Sequence, residues 1–243
     1  MTSGNFTGFP AEAFEFYDAL AAEPTKSWWT AHKDDYLRDV REPLAALGEE
    51  LATEFGPPHL YRPYRDVRFS RDKSPYKDHQ GMFTEYRNGL GWYLQLSAAG
   101  LMVAGGWYVS TPEQVARFRE FVDDDDAGAL ASQLAKLAAA GFAIDGQQLK
   151  TRPRGYPADH PRLAELRYRT LYAHLQWQPE EWMGSRGAAG RVAQAWRGLR
   201  PFMESLAEVV GPGDSPTAGA GRTKPGAGGG AKPGTTGGQD GLR

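Results

Sequence analysis

The side chains best suited to chemistry are concentrated in residues 62–79. Six cationic side chains stand there against three carboxylates, so the stretch has a net charge of +3 in a chain whose formal net charge is −2. Arginine presents a rigid fork of donors that fits a carboxylate or a phosphate, and lysine adds a mobile point charge. Positive charge on a rigid element is costly unless it is exposed or matched by a ligand. The stretch therefore predicts an anion-binding site, formed by Arg62, Arg65, Asp66, Arg68, Lys73, Tyr76 and Lys77.

Proton transfer is the second kind of chemistry that residues 62–79 could supply. Lysine, tyrosine and histidine side chains exchange protons in the way that general acid–base catalysis requires. The pattern names no reaction and does not decide whether the protein is an enzyme. The candidates for acid–base work are Lys73, Tyr76, Lys77 and His79.

A second cationic segment lies at residues 152–161. Its three prolines predict an ordered or extended loop rather than a helix or strand. The loop carries Arg152 and Arg154 together with the rings of Tyr156 and His160. Because this segment and residues 62–79 are the two dense cationic stretches of the predicted domain, we expect Arg152 or Arg154 to join the first stretch at one concave surface.

The first stretch resembles the signature of a mostly bacterial family of uncharacterised proteins known as domain of unknown function two-four-six-one. That signature reads Arg-x-x-Arg-Asp-x-Arg-Phe-x-x-x-Lys-x-Pro-Tyr-Lys. Residues 152–161 are similar to a basic Pro-x-Gly-Tyr-Pro loop of the same family. The resemblance covers roughly residues 6–209 and implies no known activity. The matching signature positions are Arg62, Arg65, Asp66, Arg68, Phe69, Lys73, Pro75, Tyr76 and Lys77.

Other interpretations of the basic residues stay open beside a small phosphorylated or carboxylated ligand. Arg65, Asp66 and Arg68 could form a structural ion-pair network that needs no ligand. A basic face with nearby Trp or Tyr rings also fits the backbone and bases of a nucleic acid, although the acidic remainder of the chain argues against broad non-specific binding. An aromatic sheet face could instead bind another protein.

Metal and cofactor chemistry is not indicated by the sequence. The chain has no cysteine, which excludes thiolate ligands, Fe–S clusters and disulfides. Its five histidines show no ligand spacing among themselves, and no standard nucleotide-binding or hydrolase signature occurs. The acidic run at residues 123–126 lies at a predicted helix junction, where negative charge suits a helix N-terminus. We therefore predict neither a metal site nor a cofactor.

No segment of the sequence indicates a membrane or export. No apolar run approaches the roughly 18 residues that a bilayer-spanning helix needs. The N-terminal residues lack the basic and apolar regions of a signal peptide. We expect a cytoplasmic protein without a membrane partner.

Hydrophobic periodicity predicts the elements that position these residues. Apolar residues at helical spacing predict helices at roughly 10–22, 25–42, 44–55, 112–122, 127–140, 163–166 and 192–210. Alternation predicts strands at roughly 65–70, 82–86, 92–97, 101–109 and 171–177, and a short hairpin is predicted within 142–150. The four strands between Tyr64 and Val109 have short links, which is typical of an antiparallel meander.

These elements predict an α+β fold in one domain, residues 6–210. The meander packs its apolar face against the N-terminal helices and the final helix. Residues 211–243 hold 12 of the 30 glycines and no aromatic residue, so they cannot bury enough surface to offset the entropy of ordering them. We predict that this segment is a disordered tail.

Overall fold

The computed structural model describes residues 5–65, 74–125 and 128–213. Asp66, Arg68 and Lys73 of the predicted binding site therefore lie outside the described residues, as does most of the first predicted strand. The predicted tail lies outside them from residue 214 onward, while the carbonyls of Gly211 and Pro212 accept hydrogen bonds from Gln114 and Arg117 of α5 (Pro112–Asp124).

The helices pack on the sheet mainly through the first helix, the helix at residues 42–55 and the last helix. In the described part of the chain, none of them is both long and apolar enough to cross a membrane. A π-helical turn (Tyr36–Arg41) joins the N-terminal helices to α4, and a 3-10 turn (Glu181–Gly184) precedes α8. The helices are α1 (Glu12–Ala22), α2 (Lys26–Ala31), α3 (Lys33–Asp35), α4 (Glu42–Phe55), α5 (Pro112–Asp124), α6 (Ala129–Ala139), α7 (Leu163–Leu166) and α8 (Gly187–Val210).

Two helices begin where a side chain caps them. Thr25 accepts a hydrogen bond from the Trp28 backbone N–H at 3.1 Å and starts α2. At the start of α5, Thr111 Oγ1 accepts from the Gln114 N–H at 3.3 Å, while Gln114 Oε1 accepts from the Thr111 N–H at 3.1 Å. Such a reciprocal pair satisfies two N–H groups that a helix N-terminus otherwise leaves unpaired. Both predicted helix starts are confirmed.

Six strands of the described chain form one antiparallel sheet with the order β1-β2-β3-β4-β6-β5. Three hairpin-linked strands, β2 to β4, match the predicted meander, and the α+β class is confirmed. The first strand begins at Pro58, which the sequence pattern assigned to the end of a helix; a proline fits the first position of an edge strand because no N–H donor is needed there. The strands are β1 (Pro58–Leu60), β2 (His79–Glu85), β3 (Leu90–Ser97), β4 (Gly100–Trp107), β5 (Ala143–Asp145) and β6 (Leu171–Trp177).

Strand β5 pairs with β6 and not with the residues that follow β5 in the chain. Ala143 lies opposite His174, and Asp145 lies opposite Tyr172. The Gln147 backbone N–H then donates to Thr170 Oγ1 at 2.8 Å, so the chain continues along β6. The predicted local hairpin within residues 142–150 is therefore wrong.

The two faces of the sheet have different neighbours. Residues such as Trp92 and Leu94 point inward, where α8 packs on β3 and β4 and α1 packs on β3, as predicted. The alternate residues point to the opposite side. There a second buried cluster contains no residue of a helix. We call it the outer cluster: Tyr93, Ala104 and Tyr108, with Tyr61, Phe83, Met102 and Tyr172 packed against them.

Glycine on the outer face leaves room for an aromatic ring. A Cβ on Gly91 would overlap the Phe83 ring and approach the Thr84 carbonyl oxygen to 2.7 Å. We expect Gly91→Ala to lower the free energy of unfolding by about 1–3 kcal/mol, because the ring must leave its position. Gly190→Ala is the matched control, since nothing lies within 4 Å of its Cβ position, and should raise stability by up to about 1 kcal/mol. Denaturant unfolding of both variants measures the difference. A Gly91→Ala protein with the same free energy of unfolding as the wild type would contradict the prediction.

Candidate functional site

Strands β1 and β2 continue past the sheet as a two-stranded hairpin. The Arg65 N–H donates to the Pro75 carbonyl at 2.9 Å, and the Lys77 N–H donates to the Pro63 carbonyl at 2.8 Å. Backbone pairing of this kind holds side chains on a defined element rather than on a loop. We call this hairpin the arm; it comprises residues 61–65 and 74–78 and carries the described part of the family signature.

An aromatic stack anchors the arm to the helices. The Tyr76 ring lies parallel to the Trp29 ring, with centroids 4.3 Å apart and an interplanar angle of 10°. Tyr36 packs against the same tryptophan at 4.9 Å, and Tyr64 lies 5.7 Å from Tyr76. Tyr76 is only 6% exposed, and burial raises the pKa of its phenol. The arm is therefore fixed in position by Tyr76.

A buried polar network also ties the arm to the helices. The Tyr36 hydroxyl donates to Gln80 Oε1 at 2.6 Å. The Gln80 amide nitrogen in turn donates to the carbonyls of Tyr61 and Gly81, at 2.7 and 2.9 Å. Because these groups are buried, each unmade bond would be costly. The network sets the point at which the arm leaves the sheet.

Lys77 lies at the start of the outer face. Its ammonium donates to the Arg62 carbonyl at 2.6 Å and lies 5.3 Å from the centroid of the Tyr61 ring. A cation over an aromatic face is attracted by the ring quadrupole. Lys77 is thereby held next to Tyr61, a member of the outer cluster, while Arg62 itself is exposed.

Arg65 and His79 meet at Asp78. The Arg65 guanidinium lies 3.6 Å from the Asp78 carboxylate, and His79 Nδ1 lies 2.7 Å from Asp78 Oδ1. The hydrogen bond with His79 holds the pKa of Asp78 below its ordinary value. Asp78 is 72% exposed, so its contact with Arg65 is a surface ion pair. Arg65 and His79 therefore share a contact with Asp78, while Lys77 is held beside Tyr61.

The outer cluster continues from the arm across the sheet. Tyr61 lies 6.4 Å from Tyr93, Phe83 packs edge-on to Tyr108 at 5.7 Å, and Tyr108 stacks on Tyr172 at 5.0 Å. None of these rings is among the predicted site residues, although an aromatic sheet face was one of the open interpretations. The signal that could have identified them is a tyrosine at an outward position in β3 and β6.

Two of these tyrosines have polar partners. The Tyr93 hydroxyl donates to Gln95 Oε1 at 2.9 Å, and the Tyr172 hydroxyl donates to Asp145 Oδ2 at 3.1 Å. Burial is the main cause that raises the pKa of both phenols, and the Asp145 carboxylate adds to the rise at Tyr172. Both side chains are therefore neutral hydrogen-bond donors near pH 7.

In the described part of the chain, Tyr108 and His174 each carry a buried polar atom without a hydrogen-bond partner. Neither Tyr108 Oη nor His174 Nδ1 makes a hydrogen bond within the described ranges. Burial raises the pKa of the Tyr108 phenol and lowers the pKa of the His174 imidazole. A buried polar group that lacks a partner costs about 1–3 kcal/mol, so both atoms are candidates to receive a ligand group.

The Tyr108 hydroxyl gives a stability prediction. We expect Tyr108→Phe to leave the free energy of unfolding unchanged or to raise it by up to about 1–2 kcal/mol, because it removes a buried donor without a partner. Tyr93→Phe is the matched control; it loses the bond to Gln95 and should cost about 1 kcal/mol. Denaturant unfolding compares the two. If Tyr108→Phe lowers the free energy of unfolding as much as Tyr93→Phe does, the Tyr108 hydroxyl has a hydrogen-bond partner.

Arg152 and Arg154 do not join the arm. Their loop follows β5, whose Asp145 pairs with Tyr172 near the start of β6. The arm extends from β1 and β2 on the other side of the sheet, and from its opposite end, where His79 pairs with Ser97. The guanidinium of Arg152 instead donates to the Tyr156 carbonyl. Among the described residues, the expected convergence of the two cationic stretches is therefore not observed.

The acidic run after α5 has structural contacts. Asp125 accepts hydrogen bonds from the backbone N–H groups of Ala129 and Leu130, at 2.8 and 3.1 Å, and so caps α6. Asp123 lies 2.8 Å from His160 Nε2. Within residues 5–65, 74–125 and 128–213, no group of three or more His, Asp or Glu side chains is placed to hold a metal ion.

A protein-family model described as "Conserved hypothetical protein (DUF2461)" matches residues 12–204. The matched range includes the arm, the outer cluster and most of α8. A search of curated proteins finds no match.

Proposed function

This chain belongs to the DUF2461 family, and we propose that it binds a small phosphorylated or carboxylated molecule beside the arm. The observation that carries the proposal is that the arm holds Arg65 beside Asp78 and Lys77 beside Tyr61, with His79 next to Asp78 at the base of the arm. Guanidinium and ammonium groups suit phosphate or carboxylate oxygens. The signature residues Arg62, Asp66, Arg68 and Lys73 are proposed to complete the site.

The ion pair at the arm is weak enough to yield to a ligand. Asp78 is 72% exposed and lies 3.6 Å from the Arg65 guanidinium. Surface pairs of this kind contribute about 0–1 kcal/mol, whereas a hydrogen bond to a charged group contributes about 1.5–3 kcal/mol. A hydrogen bond from Arg65 to an anion therefore contributes more binding free energy than the Asp78 contact contributes to stability.

The outer cluster supports a ligand that has more than an anionic group. Tyr61 contacts both Lys77 and the ring of Tyr93, so the cationic end and the aromatic face adjoin each other. Tyr108 Oη is a buried donor without a described partner on the same face. We propose that the ligand carries a planar or apolar part that lies against these rings.

We assign no reaction to the site. Of the candidates for acid–base work, His79 has the geometry that supports proton transfer best, because Asp78 contacts its Nδ1 and orients the ring. Tyr76 is stacked in the core, and the Lys77 ammonium is bonded to a carbonyl.

A thermal-shift panel tests the proposal on the full chain. The panel contains phosphorylated metabolites, nucleotides, dicarboxylates and short oligonucleotides. We expect at least one small anion to raise the melting temperature in a concentration-dependent way, because a ligand that binds only the folded state stabilises it. Stabilisation by oligonucleotides alone would instead favour the nucleic-acid alternative, and no stabilisation by any anion would contradict the proposal.

A further inference from the structure

A groove separate from the arm lies between α8 and the edge of β6. Its volume is about 420 Å³. The arm extends from β1 and β2, on the other side of the sheet. The lining residues include Phe142, Leu175, Trp177, Arg191, Gln194 and Gly198.

The edge of β6 beside this groove has no strand partner in the described part of the chain. Strand β5 pairs only with residues 172–174, and β4 occupies the other edge as far as Trp177. The Phe142 N–H, which would come next along β5, donates to the Leu137 carbonyl and closes the end of α6. A strand edge left open at residues 175–177 is a template for the backbone of an extended peptide.

Gly198 lines the groove on the α8 side and has no side chain to fill it. Nothing lies within 4 Å of a Cβ at this position, so the packing of the protein itself does not require a glycine. A glycine inside a helix costs about 1 kcal/mol relative to alanine. Glycine is used where another backbone must approach closely. This position therefore fits a partner chain that contacts α8.

The groove combines an apolar floor with one cation. Leu175 and Trp177 are partly exposed there. Arg191 is the one charged side chain among the lining residues, and it is held 4.6 Å from the centroid of the Trp182 ring. No carboxylate of the described residues lies within 4.0 Å of it. We propose that this groove binds an extended, acidic peptide segment of a partner protein.

In the proposed complex, the peptide pairs with the β6 edge at residues 175–177. An apolar side chain lies against Leu175 and Trp177, and a carboxylate binds Arg191. Alternate side chains of a strand point the same way, so the apolar residue and the acidic residue are separated by an even number of positions.

Selection from a random displayed peptide library on the full chain supplies the probe. A fluorescein-labelled copy of the enriched peptide is then titrated by fluorescence anisotropy. We expect Gly198→Leu to weaken its binding by at least about tenfold, which corresponds to about 1.4 kcal/mol, because the leucine fills the groove. Gly190→Leu is the matched control, since it lies on the same helix, has nothing within 4 Å of its Cβ position and does not line the groove.

Charge reversal tests the orientation of the peptide. The Arg191→Glu protein should bind the acidic peptide more weakly than the wild type does. It should bind a copy of the peptide in which lysine replaces the acidic residue more tightly than the wild type does. The proposal is overturned if no peptide is enriched or if the enriched peptide binds Gly198→Leu as tightly as the wild type. A self-associating chain whose oligomer is lost in Gly198→Leu, measured by light scattering, would also overturn it by assigning the groove to a second copy.

Discussion

Trp29→Ala is expected to lower the free energy of unfolding by about 3–5 kcal/mol, the range found for a buried aromatic side chain cut back to alanine. Trp29 is 4% exposed and contacts Tyr76 and Tyr36 with ring centroids 4.3 and 4.9 Å away. Its loss removes the surface on which the arm is stacked. Chemical denaturation measures the change, and affinity for the anion of the thermal-shift panel should fall with it.

The neighbouring tryptophan provides the matched control. Trp28 is half-buried and stacks on His32 at 4.1 Å, away from the arm, so Trp28→Ala should cost clearly less than Trp29→Ala. Trp29→Phe keeps a ring against Tyr76 and removes a buried indole N–H that has no hydrogen-bond partner among the described residues. It should recover most of the stability. A Trp29→Ala protein as stable as Trp28→Ala would show that the stack does not anchor the arm.

The double variant Arg65→Ala, Lys77→Ala is expected to lose at least about a hundredfold in affinity for that anion. Each charge-assisted hydrogen bond contributes about 1.5–3 kcal/mol, and about 1.4 kcal/mol corresponds to a tenfold change. Stability should change little, because Arg65 contacts an exposed carboxylate and such pairs contribute about 0–1 kcal/mol. Binding titrations and thermal melts of the same samples separate the two effects.

Two cationic residues outside the arm provide matched controls. Arg197 is paired with Glu54 across α8 and α4, at 2.6 Å, and Lys136 is exposed on α6. Their alanine variants remove the same charges without changing the arm, so their affinities should equal that of the wild type. Equal losses in all the variants would point to a diffuse effect of net charge and would contradict a defined site.

Local chemistry made part of the fold predictable. The capping box of Thr111 and Gln114 lies within four residues, and the apolar stripe of α8 repeats within one helix. Strands β3 and β4 alternate around a short turn. In each case the determining contacts are close in sequence, so pattern and structure agree.

The long-range pairings could not be read from local pattern. Tyr108 and Tyr172 stack because β4 and β6 are neighbours in the sheet, although 64 positions separate the two residues. The separation of the loop with Arg152 and Arg154 from the arm has the same cause: charge indicates that a loop could bind an anion but not at which end of the sheet it lies. The stack of Trp29 on Tyr76 likewise joins segments that only the tertiary fold brings together.

A substitution of Arg68 distinguishes the two interpretations of the basic residues, an anion-binding site and a structural ion-pair network. Arg68 lies outside the described residues, and its role stays a prediction from the signature. If Arg68 binds the anion, the Arg68→Ala protein should lose affinity for the anion and keep its stability. A buried ion pair predicts a loss of about 3–5 kcal/mol in the free energy of unfolding.

The most direct test of anion binding at the arm is isothermal titration of the best anion from the thermal-shift panel into the wild type and the Arg65→Ala, Lys77→Ala variant. We expect saturable binding to the wild type that weakens as salt rises, because exposed charges are screened. We expect no measurable binding to the variant, whose melting temperature stays close to that of the wild type. Equal affinity of the two proteins for the anion would contradict an anion site at the arm.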